Sequence, residues 1–141
     1  MAMRRGPKAG WDQFPNFDKS EFACICCGRE LPFGTIYPMA SCLQDLRTTC
    51  GFPFLISNAF RCKKHPIEIA KIAPGPHSTG LAVDIVCSHR HARTLIDEAV
   101  KQGCWTGIGI KQHGDVETRF VHLDMCEAIP GRPRPHIWSY P

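Results

Sequence analysis

Polar side chains interrupt two apolar runs of this sequence, at residues 81–87 and 119–125. In the first run Asp84 alternates with apolar residues, so on a strand it would share a face with apolar neighbours. In the second run His122 and Asp124 are two residues apart and would project side by side from one face. A carboxylate in such surroundings is costly unless it is paired or bound to a cation. The pattern therefore favours an ion pair or a metal ion at Asp84.

A further histidine, His77, lies upstream in a segment rich in Gly and Pro, with six residues between it and Asp84. A ligand on such a loop can fold back over a ligand on the following strand. Two imidazoles and one carboxylate are a recurring set for catalytic zinc, which keeps its fourth position open, whereas structural zinc is usually closed by four Cys or His ligands. We therefore predict a catalytic zinc ion held by His77, Asp84 and His122. The alternative for Asp84 alone is a buried pair with an arginine.

The nine cysteines form a second group of candidate ligands. Because their number is odd, they cannot all pair in intramolecular disulfides. Cys24 and Cys27 have the spacing C-x-x-C, and Cys62 and His65 have the spacing C-x-x-H. Together these four residues are a candidate for a second, structural zinc site. The alternatives are ordinary packed thiols or a disulfide formed after export.

The elements that must position these residues follow from hydrophobic periodicity. Two stretches with one apolar face are predicted as helices: 38–50, with Pro38 at its start, and 89–102, between Ser88 and Gly103. Four runs are predicted as strands: 54–60, 81–87, 108–111 and 119–125. The last two strands are joined by a short turn, which favours an α+β fold with a small antiparallel sheet and helices packed on one side.

Length and composition indicate one globular domain, because 141 residues with 43% hydrophobic and 21% charged residues can bury a core. We expect an irregular N-terminal arm over residues 1–16 and a single zinc domain over 17–141, ending in a Pro-rich tail packed on the body. The net charge of +4 favours anionic partners, but it does not choose between a wall polymer and nucleic acid. No signal peptide and no membrane span is expected, which predicts synthesis in the cytoplasm.

Two motifs resemble those of a known family. His77-Ser78-Thr79-Gly80-Leu81-Ala82-Val83-Asp84 resembles the H-x-x-G-x-A-x-D motif of the D-Ala-D-Ala metallopeptidases, and Phe120-Val121-His122-Leu123-Asp124 resembles their second, His-x-Asp motif. The family includes zinc D,D-carboxypeptidases, phage L-alanyl-D-glutamate endopeptidases and the hedgehog signalling domain. Segments 21–24, 43–47 and 57–62 are similar to a phage-associated branch, and the resemblance spans about residues 20–140.

The resemblance implies a hedgehog/D,D-peptidase-like domain with one catalytic zinc ion, in which Arg61 stabilises the carbonyl oxygen as it becomes an oxyanion. The alternative for Arg61 is a structural role at a strand end. Relatives have an acid three residues before the second histidine ligand, but Arg119 occupies that position here. Asp124 is the first candidate for the general base, and Glu117 or Asp115 can reach in from the turn. Asp124 can equally orient a metal ligand or pair with an arginine.

Three functions follow from this resemblance. The first is a phage-type peptidase that cleaves peptidoglycan stem peptides or cross-links, as an endolysin or as a virion component in contact with other tail proteins. It would be made in the host cytoplasm and act at the cell wall, with peptidoglycan and not nucleic acid as its partner. The second is a host carboxypeptidase that trims stem peptides, which would require export. The third is a non-catalytic zinc domain used for binding or assembly.

Overall fold

The computed structural model describes residues 10–71 and 75–141. Within these residues the chain forms three α-helices, which are α1 Phe33–Cys50, α2 Pro66–Ile69 and α3 His89–Gln102. It also forms five strands, which are β1 Leu55–Asn58, β2 Ala82–Val86, β3 Gly107–Lys111, β4 Phe120–Asp124 and β5 His136–Ser139. None of these helices is both long enough and apolar enough to cross a membrane.

The strands form one sheet in the order β1-β2-β4-β3-β5. The first four strands pair antiparallel with their neighbours, and β5 pairs parallel with β3. The predicted α+β class is therefore confirmed, as is the antiparallel pairing of the four predicted strands. The predicted extended tail contributes a fifth strand, which makes the sheet mixed. Hydrophobic alternation did not reveal this strand because β5 is short and mostly exposed.

The two faces of the sheet differ in chemistry. Val83 and Ile85 on β2, and Val121 and Leu123 on β4, pack with apolar residues of α1 and α3 in one core. The opposite face carries Asp84, His122 and Asp124. Alternation along β2 and β4 thus places the apolar side chains against the helices and the polar side chains on the other face.

Helix α1 begins five residues earlier than predicted, and Pro38 lies inside it. A proline there removes one backbone hydrogen bond, the one that residue 38 would donate to the carbonyl of Gly34. The added turn brings Ile36 into the core, where it is 2% exposed. Burial of this side chain offsets the loss of one hydrogen bond. Helix α3 has the predicted limits, with Gly103 in the left-handed conformation at its end.

The expected N-terminal arm packs on the core where the structure describes it. Residues Gly10–Gln13 form a turn of 3-10 helix, and Phe14 is buried. Asn16 and Gln44 of α1 exchange hydrogen bonds, with Asn16 N–H donating to Gln44 Oε1 and Gln44 Nε2 donating to Asn16 Oδ1. Residues 1–9 of that arm, and residues 72–74 of the connection before His77, lie outside the described residues.

Candidate metal centre

Three elements bring His77, Asp84 and His122 together. Asp84 on β2 lies directly opposite His122 on β4. His77 lies in a turn of 3-10 helix, Pro76–Thr79, and Gly80 then adopts a left-handed φ of 78° that leads into β2. All three side chains are buried. The predicted loop-and-strand arrangement is therefore the one that the structure contains.

The three inner donor atoms form a small triangle. His122 Nδ1 lies 2.9 Å from Asp84 Oδ1 and 3.2 Å from His77 Nε2, and His77 Nε2 lies 3.3 Å from Asp84 Oδ1. On a tetrahedral zinc ion with bonds of about 2.0–2.1 Å, neighbouring donor atoms are about 3.3 Å apart. The triangle therefore has the dimensions of one face of such a coordination sphere.

The outer ring nitrogen of each histidine already has a hydrogen-bond partner within the protein. His77 Nδ1 lies 2.7 Å from the carbonyl oxygen of Ala59, which can only accept, so His77 Nδ1 carries the proton. His122 Nε2 lies 2.7 Å from Asp124 Oδ2 and donates to that carboxylate. In the neutral rings, His77 Nε2 and His122 Nδ1 are then unprotonated and face the carboxylate of Asp84. Three lone pairs pointing at one another are stabilised by a cation, so these residues fit a metal ion.

The charges around the triangle shift two pKa values. Burial raises the pKa of Asp84, but the close contacts of its carboxylate with the His122 and His77 rings outweigh burial and hold this pKa well below its usual range. Burial lowers the pKa of His122, but its contacts with Asp124 and Asp84 outweigh burial and raise this pKa overall. The lowered pKa keeps Asp84 a carboxylate, the form that can bind a cation, and the raised pKa of His122 reflects the two carboxylates on either side of its ring.

Asp124 lies behind His122, on the side of the imidazole that faces away from the triangle. Its carboxylate accepts two hydrogen bonds from Arg134, at 2.9 Å from Nε and 2.7 Å from Nη2, and one from the backbone N–H of Cys126. Asp124 is fully buried. Space for this carboxylate depends on Gly107 of β3, because a Cβ there would overlap with it. Asp124 therefore contacts a predicted ligand, His122, and pairs with an arginine, Arg134.

Arg61 reaches the centre as predicted. Its Nη2 lies 4.0 Å from Asp84 Oδ2, and its Nη1 lies 3.7 Å from Glu68 Oε1. Its buried Nε has no hydrogen-bond partner among the described residues. Its backbone N–H donates to the carbonyl of His77. The guanidinium therefore lies beside the ligands, held by charge and not by a side-chain hydrogen bond among the described residues.

Sequence reasoning missed Glu68, a buried carboxylate on α2. It accepts hydrogen bonds from Lys71 Nζ at 3.0 Å and from the backbone N–H of Gly75 at 3.2 Å, and it faces Arg61. Burial raises the pKa of Glu68, but the hydrogen bond from Lys71 and the other donors outweigh burial and lower it. Nothing in the Pro- and Lys-containing segment around Glu68 distinguishes it from an exposed acid, so the sequence offered no signal.

The two acids of the β3–β4 turn do not join the centre. Glu117 and Asp115 are exposed, and within the described residues no hydrogen bond or ion pair connects either side chain to the three ligands. Arg119, at the position where relatives have an acid, donates from Nε to the carbonyl of Gly114. Within the described residues, neither acid of the turn therefore reaches the metal centre as predicted.

An aromatic wall closes one side of the centre. The ring of Trp138 on β5 lies 5.2 Å from that of His122, and Arg134 Cζ lies 5.0 Å above the Trp138 ring. Both Trp138 and Tyr140 pack over Gly109 of β3. The sequence predicted a packed tail here but not its contact with a ligand, because that contact depends on the pairing of β5 with β3.

An open groove of about 430 Å³ lies beside the centre. Its lining includes Trp138 and four basic side chains, those of Lys71, Arg132, Arg134 and His136, and none of its described lining residues is acidic. Arg134 is paired with Asp124, and Lys71 with Glu68. Arg132 donates to a backbone carbonyl and has no carboxylate partner among the described residues.

Three of the four predicted ligands of the second site come together. The sulfur atoms of Cys24, Cys27 and Cys62 converge, and the fourth member of the group is Cys26. His65 does not join them. Its Nδ1 accepts a hydrogen bond from the backbone N–H of Ile67 at 3.2 Å and caps α2. The C-x-x-H spacing is therefore explained by helix capping.

A buried set of two histidines and one carboxylate, on a small α+β domain with an adjacent groove, defines a candidate metallohydrolase. Comparison with known proteins gives the family: a model described as Peptidase M15 matches residues 15–124. The chain therefore belongs to the peptidase M15 family of D-Ala-D-Ala metallopeptidases, whose members are zinc peptidases. No curated protein and no solved structure matches the chain.

Proposed function

We propose that this protein is a zinc-dependent peptidase that cleaves peptidoglycan stem peptides or their cross-links. The observation that carries the proposal is the convergence of His77 Nε2, Asp84 Oδ1 and His122 Nδ1 within 3.3 Å in a member of the peptidase M15 family. When bound there, zinc would supply a Lewis acid that activates water and polarises the scissile carbonyl.

The surrounding residues supply positioning and charge. Arg61 provides a cation beside the ligands, with its Nη2 4.0 Å from Asp84 Oδ2. Glu68 holds that guanidinium in place through its own buried charge. Asp124 and Arg134 together fix the ring orientation of His122. These contacts support Arg61 as the group that stabilises the developing oxyanion and Asp124 as a positioning residue.

The basic residues that line the groove support the proposal of an anionic substrate. Peptidoglycan stem peptides carry free carboxylates, and the groove offers Arg132 without a carboxylate partner in the described structure, together with Lys71 and His136. An apolar wall of Trp138 and prolines is suited to peptide backbone and alanine side chains. Action at the bacterial wall, as a phage endolysin or as a virion component among tail proteins, is part of this proposal and rests on the motif resemblance.

A second candidate function is a non-catalytic zinc domain that binds a wall peptide. One observation favours it: among the described residues, the acids proposed as the general base are either buried behind His122, as Asp124 is, or exposed in the turn, as Glu117 is. Binding to peptidoglycan without hydrolysis is the behaviour that distinguishes it.

The test is a cleavage assay on purified peptidoglycan. Zinc-loaded protein, chelator-treated protein and His122→Ala are compared, with His89→Ala as a control because His89 is exposed on α3. We expect release of new amino groups by the wild type and by His89→Ala, and only background release by His122→Ala and after chelation. Mass spectrometry of the products identifies the bond. Zinc-loaded wild type that sediments with peptidoglycan but releases no amino groups would overturn the peptidase proposal and support the binding domain.

A further inference from the structure

Four cysteines from two distant segments meet on the surface of the domain. Cys24, Cys26 and Cys27 come from the turn before α1, and Cys62 follows β1. Their four sulfur atoms all lie within 4.8 Å of one another, and the sulfurs of Cys26 and Cys62 are 4.0 Å apart. The other five thiols of the chain are outside this group.

The backbone of the turn directs its sulfurs toward one point. The N–H of Gly28 donates to the carbonyl of Cys24 at 2.7 Å, and the N–H of Cys24 donates to the carbonyl of Arg29 at 2.9 Å. Gly28 has a φ of 72°, which an L side chain rarely adopts and which closes the turn. The backbone N–H of Cys62 donates to the sulfur of Cys24 at 3.4 Å. Such a hydrogen bond stabilises negative charge on that sulfur.

We propose that Cys24, Cys26, Cys27 and Cys62 bind a second, structural zinc ion through four thiolates. In a tetrahedral site with Zn–S bonds of about 2.3 Å, neighbouring sulfurs are about 3.8 Å apart, which is close to the 4.0 Å between Cys26 and Cys62. Four protein ligands leave no open position, so this site is structural and not catalytic. The proposal is independent of the peptidase proposal.

The four thiols differ in exposure in a way that suits a site that takes up a zinc ion from solvent. Cys24 and Cys62 are 1% and 5% exposed and pack with Phe60, while Cys26 and Cys27 are exposed. Two buried ligands fix the position of the ion and two exposed ligands close over it. A disulfide would satisfy only two of the four sulfurs and would leave the other two beside it.

The site would connect the N-terminal segment to the catalytic centre. Cys62 follows Arg61, whose backbone N–H donates to the carbonyl of His77, and Ala59 O accepts from His77 Nδ1. Zinc bound by the four thiolates therefore restrains the segment 59–62, which holds both Arg61 and one contact of a metal ligand.

The experiment counts metal ions in the full-length chain under reducing conditions. Wild type is compared with His122→Ala, with the double variant Cys26→Ser/Cys27→Ser, and with Cys50→Ser as a control at a half-buried thiol outside the group. We expect two zinc ions per chain in wild type and Cys50→Ser, and one in each of the other two variants. Cobalt substitution adds a second measurement, because thiolate ligands give a sulfur-to-cobalt charge-transfer absorption that imidazole and carboxylate ligands lack.

We expect this absorption in wild type and in His122→Ala, and its loss in the double variant, whose two substituted side chains are exposed. Cobalt-loaded His122→Ala without the absorption would overturn the proposal, even if the double variant failed to fold. An unchanged metal count in the folded double variant would also overturn it. Peptidase activity does not enter any of these outcomes, so the two proposals fail separately.

Discussion

Each histidine of the candidate metal centre uses one ring nitrogen for a protein contact and turns the other toward Asp84. His77 uses Nδ1 and His122 uses Nε2, so the two rings present different nitrogens to Asp84. The choice is made by the neighbouring acceptors, the Ala59 carbonyl and the Asp124 carboxylate. The tautomer that each ring would present to a metal ion is thus set by an acceptor outside the triangle of inner donor atoms.

Replacing Asp124 by Asn tests this arrangement. The amide accepts a weaker hydrogen bond from His122 Nε2 and leaves the charge of Arg134 unpaired. We expect zinc affinity at the His77–Asp84–His122 centre to fall by about 10- to 100-fold. The affinity is measured by chelator competition in the Cys26→Ser/Cys27→Ser background, so that the thiol group contributes nothing.

Glu117→Gln is the control, because Glu117 is an exposed acid that the sequence also proposed as a base. We expect its zinc affinity and turnover to equal those of the wild type. If Asp124→Asn kept the affinity of the wild type and lost turnover at full zinc loading, Asp124 would act in proton transfer instead.

Among the elements, β3 makes space for the site because it has glycine at two positions that face the site. It lies between β4, which carries His122, and β5, which carries Trp138. Gly107 and Gly109 leave space on the site face for the Asp124 carboxylate and for the Trp138 ring. Without side chains at these two positions, residues of both neighbouring strands can lean over β3 and meet His122.

Gly109→Ala tests the role of this space. The added Cβ would lie 2.8 Å from two atoms of the Trp138 ring and 2.8 Å from one atom of Tyr140, so β5 must shift. We expect a loss of about 1–3 kcal/mol in the free energy of unfolding, measured by urea denaturation, and weaker zinc binding. Gly34→Ala in α1 is the control, since nothing lies within 4 Å of its Cβ. Equal stability of Gly109→Ala and Gly34→Ala would show that β5 does not pack as described.

On the scale of the whole molecule, the two ends of the described chain cover opposite faces of the sheet. The N-terminal residues Trp11, Phe14 and Phe22 form an aromatic cluster with Phe33 and join the core on the helix side. The C-terminal strand β5 places its aromatic residues over the metal centre on the other side. The N-terminal end therefore contributes to stability, and the C-terminal end contributes to the site.

Phe14→Ala separates these two contributions. Phe14 is 4% exposed, and removal of a buried aromatic ring costs about 3–5 kcal/mol, so we expect a large fall in unfolding free energy. Zinc affinity of the folded variant should stay unchanged, because the cluster lies across the sheet from His122. Val100→Ala, at a 57% exposed position on α3, should change stability by less than about 0.5 kcal/mol. A Phe14→Ala protein as stable as Val100→Ala would contradict the packing of the N-terminal segment.

Local pattern was enough to predict the elements closest to the site. Alternation in β2 and β4 predicts the face on which Asp84 and His122 lie, and the motif around His77 predicts the loop that the structure brings over them. Helix α3 has its predicted limits because its apolar face and Gly103 are local signals. The start of α1 was wrong by five residues because the burial of Ile36 outweighs the local preference of Pro38.

What the sequence by itself determined is the α+β class, the family, and the three residues whose donor atoms converge. The tertiary structure decided the orientation of Asp124 behind His122 and the pairing of Glu68 with Arg61. It also decided that Cys26, and not His65, lies beside the other thiols, and that the tail forms the parallel strand β5. Each of these depends on which atoms of distant segments meet. Strand alternation and motif spacing describe only neighbours along the chain, whereas hydrogen-bond partners and sulfur positions are set by the packing of the whole fold.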